Sequence, residues 1–96
     1  MPAYVIADVE VTDPAGFEDY RKQVPATVAK YGGRFLVRGG SLEAVEGDWR
    51  PKRLVVLEFP SLQQARRWYD SPEYKDPKAL RLRTSKSKIL LVEGVA

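Results

Sequence analysis

Four strand-like runs that are apolar on both faces, with only two or three short helical segments between them, constrain this chain more than anything else in its sequence. The runs cover residues 4–11, 34–46, 53–59 and 88–93. Side chains alternate across a strand, so each run carries apolar residues to both sides of a sheet. The 96 residues are read as one domain spanning 1–96. A chain this size buries only ~60–65% of the surface it exposes when unfolded. So few helices can cover one sheet face and no more. The other face needs cover from elsewhere, and a second copy of the same chain is the expected source.

The order of elements follows from local signals. In the first run Val5, Ala7, Val9 and Val11 share one face, and Tyr4, Ile6, Asp8 and Glu10 the other. Asp13 is placed to cap a helix that starts at Pro14. Phe17, Tyr20, Val24, Val28 and Tyr31 then make one apolar stripe. Pro25 predicts a kink or restart near Val24, and Gly32-Gly33 supplies a left-handed stop. Residues 34–46 read as one long strand bent at Gly39-Gly40, a separate tight hairpin there being the alternative. A turn at 47–51 brings the chain back antiparallel as 53–59. Ser61 and Gln64 have capping-box form and open a helix through Ala65, Trp68 and Tyr69. Ser71-Pro72 opens a further helical piece, which Asp76-Pro77 would restart, and residues 89–92 are the last strand. Strand, helix, strand, strand, helix, strand, joined by short right-handed connections, is a ferredoxin-like α+β fold. Its antiparallel sheet is expected in the order 4-1-3-2.

The chain has no histidine and no cysteine. Serine–histidine triads, histidine or thiolate metal sites, disulfides and cysteine nucleophiles are thereby excluded. No metal and no resident cofactor are expected. The net charge is +3, with basic residues gathered at Arg66-Arg67 and between Lys75 and Lys88. Aromatics are not interleaved there as a nucleic-acid stacking platform requires, so a solvated helix face is expected and nucleic acid is not an expected partner. The first residues lack the pattern of a signal peptide, and no apolar run approaches the ~20 residues of a membrane helix. A cytoplasmic protein without a membrane partner is expected.

Several segments carry a resemblance. They are Ala3-Tyr4-Val5-Ile6-Ala7-Asp8, Lys30-Tyr31-Gly32-Gly33-Arg34, Val37-Arg38-Gly39-Gly40, Glu46-Gly47-Asp48-Trp49, Pro51-Lys52-Arg53, Leu57-Glu58-Phe59-Pro60-Ser61 and Trp68-Tyr69-Asp70-Ser71-Pro72-Glu73-Tyr74. Over nearly the whole chain they resemble the domain-of-unknown-function family 1330, of the dimeric alpha–beta barrel group. The resemblance implies a ferredoxin-like protomer whose sheet packs against its twin in a homodimer. It implies no single activity. The wider group includes cofactor-free monooxygenases, haem-degrading enzymes, isomerases and small stress-related proteins. Its haem enzymes usually use a histidine, which this chain lacks.

Strand parity suggests a site. By alternation Arg34, Leu36 and Arg38, and Leu54, Val56 and Glu58, join the face that carries Tyr4, Ile6, Asp8 and Glu10. Asp8, Arg38 and Glu58 then form a candidate catalytic group. Two carboxylates would share a proton while arginine holds a carboxylate or enolate. The dimer interface is expected at Ile6, Leu36, Trp49, Leu54 and Val56, and the alternative for the three charged residues is that they only specify that interface. Tyr20, Trp68 and Tyr69 are candidate ligand-binding residues in an aromatic cleft under the helices, with core packing as the alternative. The expected function is binding of a small organic metabolite, with a cofactor-free proton transfer or oxygenation. The alternative is a non-catalytic binding or interaction protein.

Overall fold

The alternation in the first run is that of a strand with one dry face. The computed structural model describes residues 1–95 and shows it as β1 (Ala3–Val11), buried at every second position from Ala3 to Val9. There follow α1 (Pro14–Lys30), β2 (Arg34–Arg38), β3 (Leu54–Phe59), α2 (Leu62–Tyr69), α3 (Pro72–Thr84) and β4 (Ser85–Glu93). The sheet order is β2-β3-β1-β4, all neighbours antiparallel, as expected. Val5 stands between Leu57 on β3 and Leu91 on β4, in the row that faces the helices. The largest fully buried side chains are Trp68, Tyr74, Phe59, Val5 and Val28. Trp68 stacks between Phe59 and Tyr74, with ring centroids at 5.4 and 4.2 Å.

The helix starts follow their capping residues. Asp13 accepts from the Gly16 N–H at 3.2 Å, with Pro14 in the first turn. Ser61 Oγ accepts from the Gln64 N–H at 3.1 Å. The Gln64 side chain accepts from Arg67 Nη1 at 3.5 Å, so the reciprocal half of the capping box is replaced. Ser71 Oγ accepts from the Tyr74 N–H at 3.1 Å and starts α3.

Three expectations are corrected. First, α1 runs unbroken through Pro25. Proline has no N–H, so the carbonyl four residues back, at Arg21, has no helical donor. Arg38 Nη2 donates to that oxygen at 2.6 Å, and buried Val24 and Val28 anchor the helix on either side. Second, Pro77 likewise lies inside a continuous α3, where it is itself buried. Third, β2 ends at Arg38 and does not extend to Glu46. Gly39 takes a left-handed φ of +71° and donates to the Leu54 carbonyl at 2.9 Å, turning the chain out of the sheet. Residues 40–53 then cross to β3 without regular structure, so no hairpin forms at 47–51.

Candidate functional site

A one-residue irregularity in β2 decides which side chains meet. Phe35 pairs with Leu57, but Val37 pairs with Val56 and Arg38 with Val55. Leu36 is therefore an extra residue opposite the partner strand, a β-bulge. Because side-chain direction has a period of two, everything after it changes face. Val37 joins the outer face, and Arg38 joins Val55 on the face beneath the helices.

The group Asp8, Arg38 and Glu58 is thus not assembled. Asp8 and Glu58 lie on the outer face, opposite Leu54 and Tyr4 respectively. Four residues of strand separate them, about 13 Å at ~3.3 Å per residue, so they cannot share a proton. Each has its own partner. Trp49 Nε1 donates to Asp8 Oδ2 at 2.9 Å, and Arg34 Nε to Glu58 Oε1 at 2.8 Å. Arg38 is on the opposite side of the sheet, stacked over the Phe35 ring at 4.6 Å.

Beneath the helices lies a partly open cavity of about 40 Å³. Its walls are mostly apolar, including Val9, Phe17, Val24, Leu57 and Ile89. Of the three candidate ligand-binding residues, Tyr20 and Trp68 line it; Tyr69 does not, and instead lies under Lys78 Nζ at 4.3 Å. Trp68 is also a core residue, its indole N–H bonded to Thr27 Oγ1 at 3.0 Å. The polar groups of the cavity are tyrosines and arginines. The hydroxyls of Tyr20 and Tyr74 are 2.9 Å apart, and Arg81 Nε donates to Tyr74 at 3.3 Å. Burial, then the neighbouring Tyr74, pushes the Tyr20 phenol well above its ordinary range, so it stays protonated. Arg21, Arg38 and Arg53 complete the polar lining.

Arg81 was expected on a solvated face but is buried, at 3% exposure. It donates a second bond to Ser87 Oγ. Arg53 has a buried Nε with no hydrogen-bond partner. Its charge is disfavoured first by burial and then by Arg21 and Arg38. Neither Arg53 nor Arg81 was singled out in the sequence. One signal did exist: Tyr74, Pro77, Arg81 and Thr84 recur at helical spacing and are the buried residues of α3. A second depression, about 940 Å³, lies beside α2 between Arg66, Arg67, Tyr31 and Leu91. It is an open surface hollow without a buried unpaired group. Among the described residues no group of three or more Asp, Glu, His or Cys is placed to hold a metal. No helix among them is long and apolar enough to cross a membrane.

The family model for the domain of unknown function DUF1330 matches residues 2–95. The chain belongs to the DUF1330 family. No curated protein matches it. Among solved structures, this DUF1330 chain is similar to RPA0582, a protein of unknown function from Rhodopseudomonas palustris. Identity is 14%, coverage is 99% of this chain and 83% of that one, and the TM-score is 0.77. SnoaB, a cofactor-independent oxygenase from Streptomyces nogalater, is 18% identical, with 99% and 94% coverage and a TM-score of 0.66. Rv0793 from Mycobacterium tuberculosis is 17% identical, with 100% and 97% coverage and a TM-score of 0.58. At these identities the likeness is one of fold. It is a ferredoxin-like α+β fold, as the sequence segments of the DUF1330 chain implied.

Proposed function

We propose that this protein binds a small organic molecule in the cavity between helices and sheet, as one half of a homodimer. One observation carries the binding reading: the cavity is apolar-walled, yet tyrosine and arginine groups converge on it. Among the described residues no carboxylate, histidine or cysteine lines it, so no side chain there is a base at neutral pH. This favours binding over proton abstraction. A second reading, cofactor-free oxygenation, is supported by the fold shared with SnoaB. It is confined to substrates that reach the cavity already ionised, since arginine can stabilise an anion but not create one.

Pairing is supported by the outer sheet face. Leu36, Val37, Leu90 and Val92 are 45%, 37%, 66% and 44% exposed, beside Ile6, Leu54 and Val56. So many apolar side chains on one pleated surface mark a contact surface. Trp49, 59% exposed, stands at its edge on Asp8.

Thermal shift against a metabolite collection tests the binding reading, with Val24→Trp, which fills the cavity, as the control. Hits that survive Val24→Trp would show the ligand sits elsewhere. Sedimentation tests the pairing. Ile6→Asp and Leu90→Asp should turn a dimer into a folded monomer, and a wild-type chain that sediments as a monomer at micromolar concentration would refute it.

A further inference from the structure

Four arginines line the cavity: Arg21 of α1, which is paired with Glu18, and three from other elements, Arg38 from the end of β2, Arg53 from the residue before β3, and Arg81 from α3. Among the described residues the ion pairs are Arg21–Glu18, Lys30–Glu73, Arg34–Glu58 and Arg66–Asp70. None includes Arg38, Arg53 or Arg81. Glu18 lies nearby but is engaged by Arg21 at 3.4 Å. Uncompensated charge at the wall of an apolar cavity is costly, and a buried polar atom without a partner needs a reason.

Arg38 and Arg81 are also held in place by hydrogen bonds. Arg38 is fixed between the Phe35 ring and the Arg21 carbonyl that Pro25 leaves free. Arg81 is fixed by Tyr74 and Ser87. Arg53 lies over the Phe17 ring at 5.9 Å and against Gly39, where any side chain would collide with it. Planar donors fixed in advance bind planar anions well, because little freedom is lost on binding.

We propose that the cavity receives the carboxylate of a small organic acid, with Arg38, Arg53 and Arg81 taking its oxygens and the apolar wall taking its carbons. The assignment rests on the cavity being the ligand site. Guanidinium forks match the flat carboxylate in shape and charge. A cavity of about 40 Å³ has room for roughly three water-sized positions, which the three atoms of a carboxylate would fill. A longer acid would continue through the mouth. A halide or phosphate would leave the apolar wall unused.

The test is an NMR titration with acetate and propionate against acetamide and propionamide, at fixed pH and ionic strength. The Trp68 indole N–H and the Ile89 methyls are the reporters. The acids should shift both and saturate, and the amides should bind at least tenfold more weakly. Arg53→Gln and Arg38→Gln should each weaken acid binding at least tenfold, while Arg34→Gln, on the outer face, leaves it unchanged. If both cavity variants unfold, the acid-to-amide ratio of the wild-type protein decides alone. Amides binding as well as acids would overturn the anion assignment and leave the cavity as the ligand site. Chloride or phosphate competing as strongly as acetate would overturn the carboxylate class. Silence of both reporters to every probe would overturn the cavity reading and this assignment together.

Discussion

Three glycines in and beside the β2–β3 connection make a matched set that isolates the placement of Arg53. Gly39 has φ +71°, and a methyl there would overlap the Arg53 guanidinium, with Cζ only 2.7 Å away. Gly47 has φ +80° but nothing within 4 Å, and Gly40 has neither a positive φ nor a neighbour. Alanine in the left-handed region costs about 1–2 kcal/mol. Where the backbone is compatible, alanine instead stabilises by about 0.4–1 kcal/mol through the unfolded chain. Gly40→Ala should therefore be neutral to slightly stabilising. Gly47→Ala and Gly39→Ala should each lose about 1–2 kcal/mol, roughly 4–16 °C in Tm for a chain this size. The added collision at Gly39 involves the end of a flexible side chain, which can swing away at little further cost. The two variants should then match in urea unfolding to within about 1 kcal/mol and differ in function. Only Gly39→Ala should displace the Arg53 Nε–H resonance and weaken acetate binding, by at least tenfold. Unchanged acetate affinity in Gly39→Ala, or equal loss in Gly47→Ala, would refute the reasoning that Gly39 seats Arg53.

Other outcomes follow from the same contacts. Trp68→Phe removes the buried bond to Thr27 and part of the ring that packs on Phe59 and Tyr74, and should cost about 2–3 kcal/mol in urea unfolding. The Glu73 carboxyl is held down from 4.5 to about 2, first by Lys30 and then by the Tyr31 hydroxyl. Its stabilising effect is complete above about pH 4.5 and is lost as pH falls through about 2, so acid titrations of Glu73→Gln should show a shallower decline than wild type over that interval. Pro25→Ala supplies an N–H to the Arg21 carbonyl and should stabilise α1 by about 1–2 kcal/mol, less than the ~3 kcal/mol of an uncompensated helix proline. The same change should weaken acetate binding as Arg38 loses that oxygen, and a stabler variant that binds acetate as before would show the anchor to be dispensable.

Regular periodicity was legible and irregularity was not. β1 has no bulge, so its alternation placed Val5, Ala7 and Val9 inside and Asp8 outside, as found. The caps at Asp13 and Ser61 could be read because each is a local bond within three residues. The Gly39-Gly40 pair did mark a break in the strand, but the chain leaves the sheet there instead of bending within it. Arg81 was concealed by its company. A helix rich in Lys and Arg reads as solvated, although its buried residues recur every three or four positions. Arg81 bonds the Tyr74 hydroxyl, two turns back on the same face of α3, and Ser87, which the turn from α3 into β4 brings to it.

Arg38 shows how two backbone irregularities can build one site. Read by alternation, it shares a face with Leu36 and Glu58; the bulge at Leu36 carries it through to the other side of the sheet. Once there, a half-buried guanidinium needs acceptors. Helix carbonyls are normally engaged, and Pro25 frees the one that Arg38 uses. Each irregularity alone is a defect: a bulge that puts a charge under the helices, or a proline that leaves a helix carbonyl without a donor. Together they satisfy one of the five N–H groups of the guanidinium and fix its plane over Phe35. The remaining donors are left for whatever enters the cavity, which Arg38 lines with the unpartnered Nε of Arg53. A core that used Arg38 only to brace α1 would have no cause to bring Arg53 and Arg81 to the same cavity without a carboxylate among them.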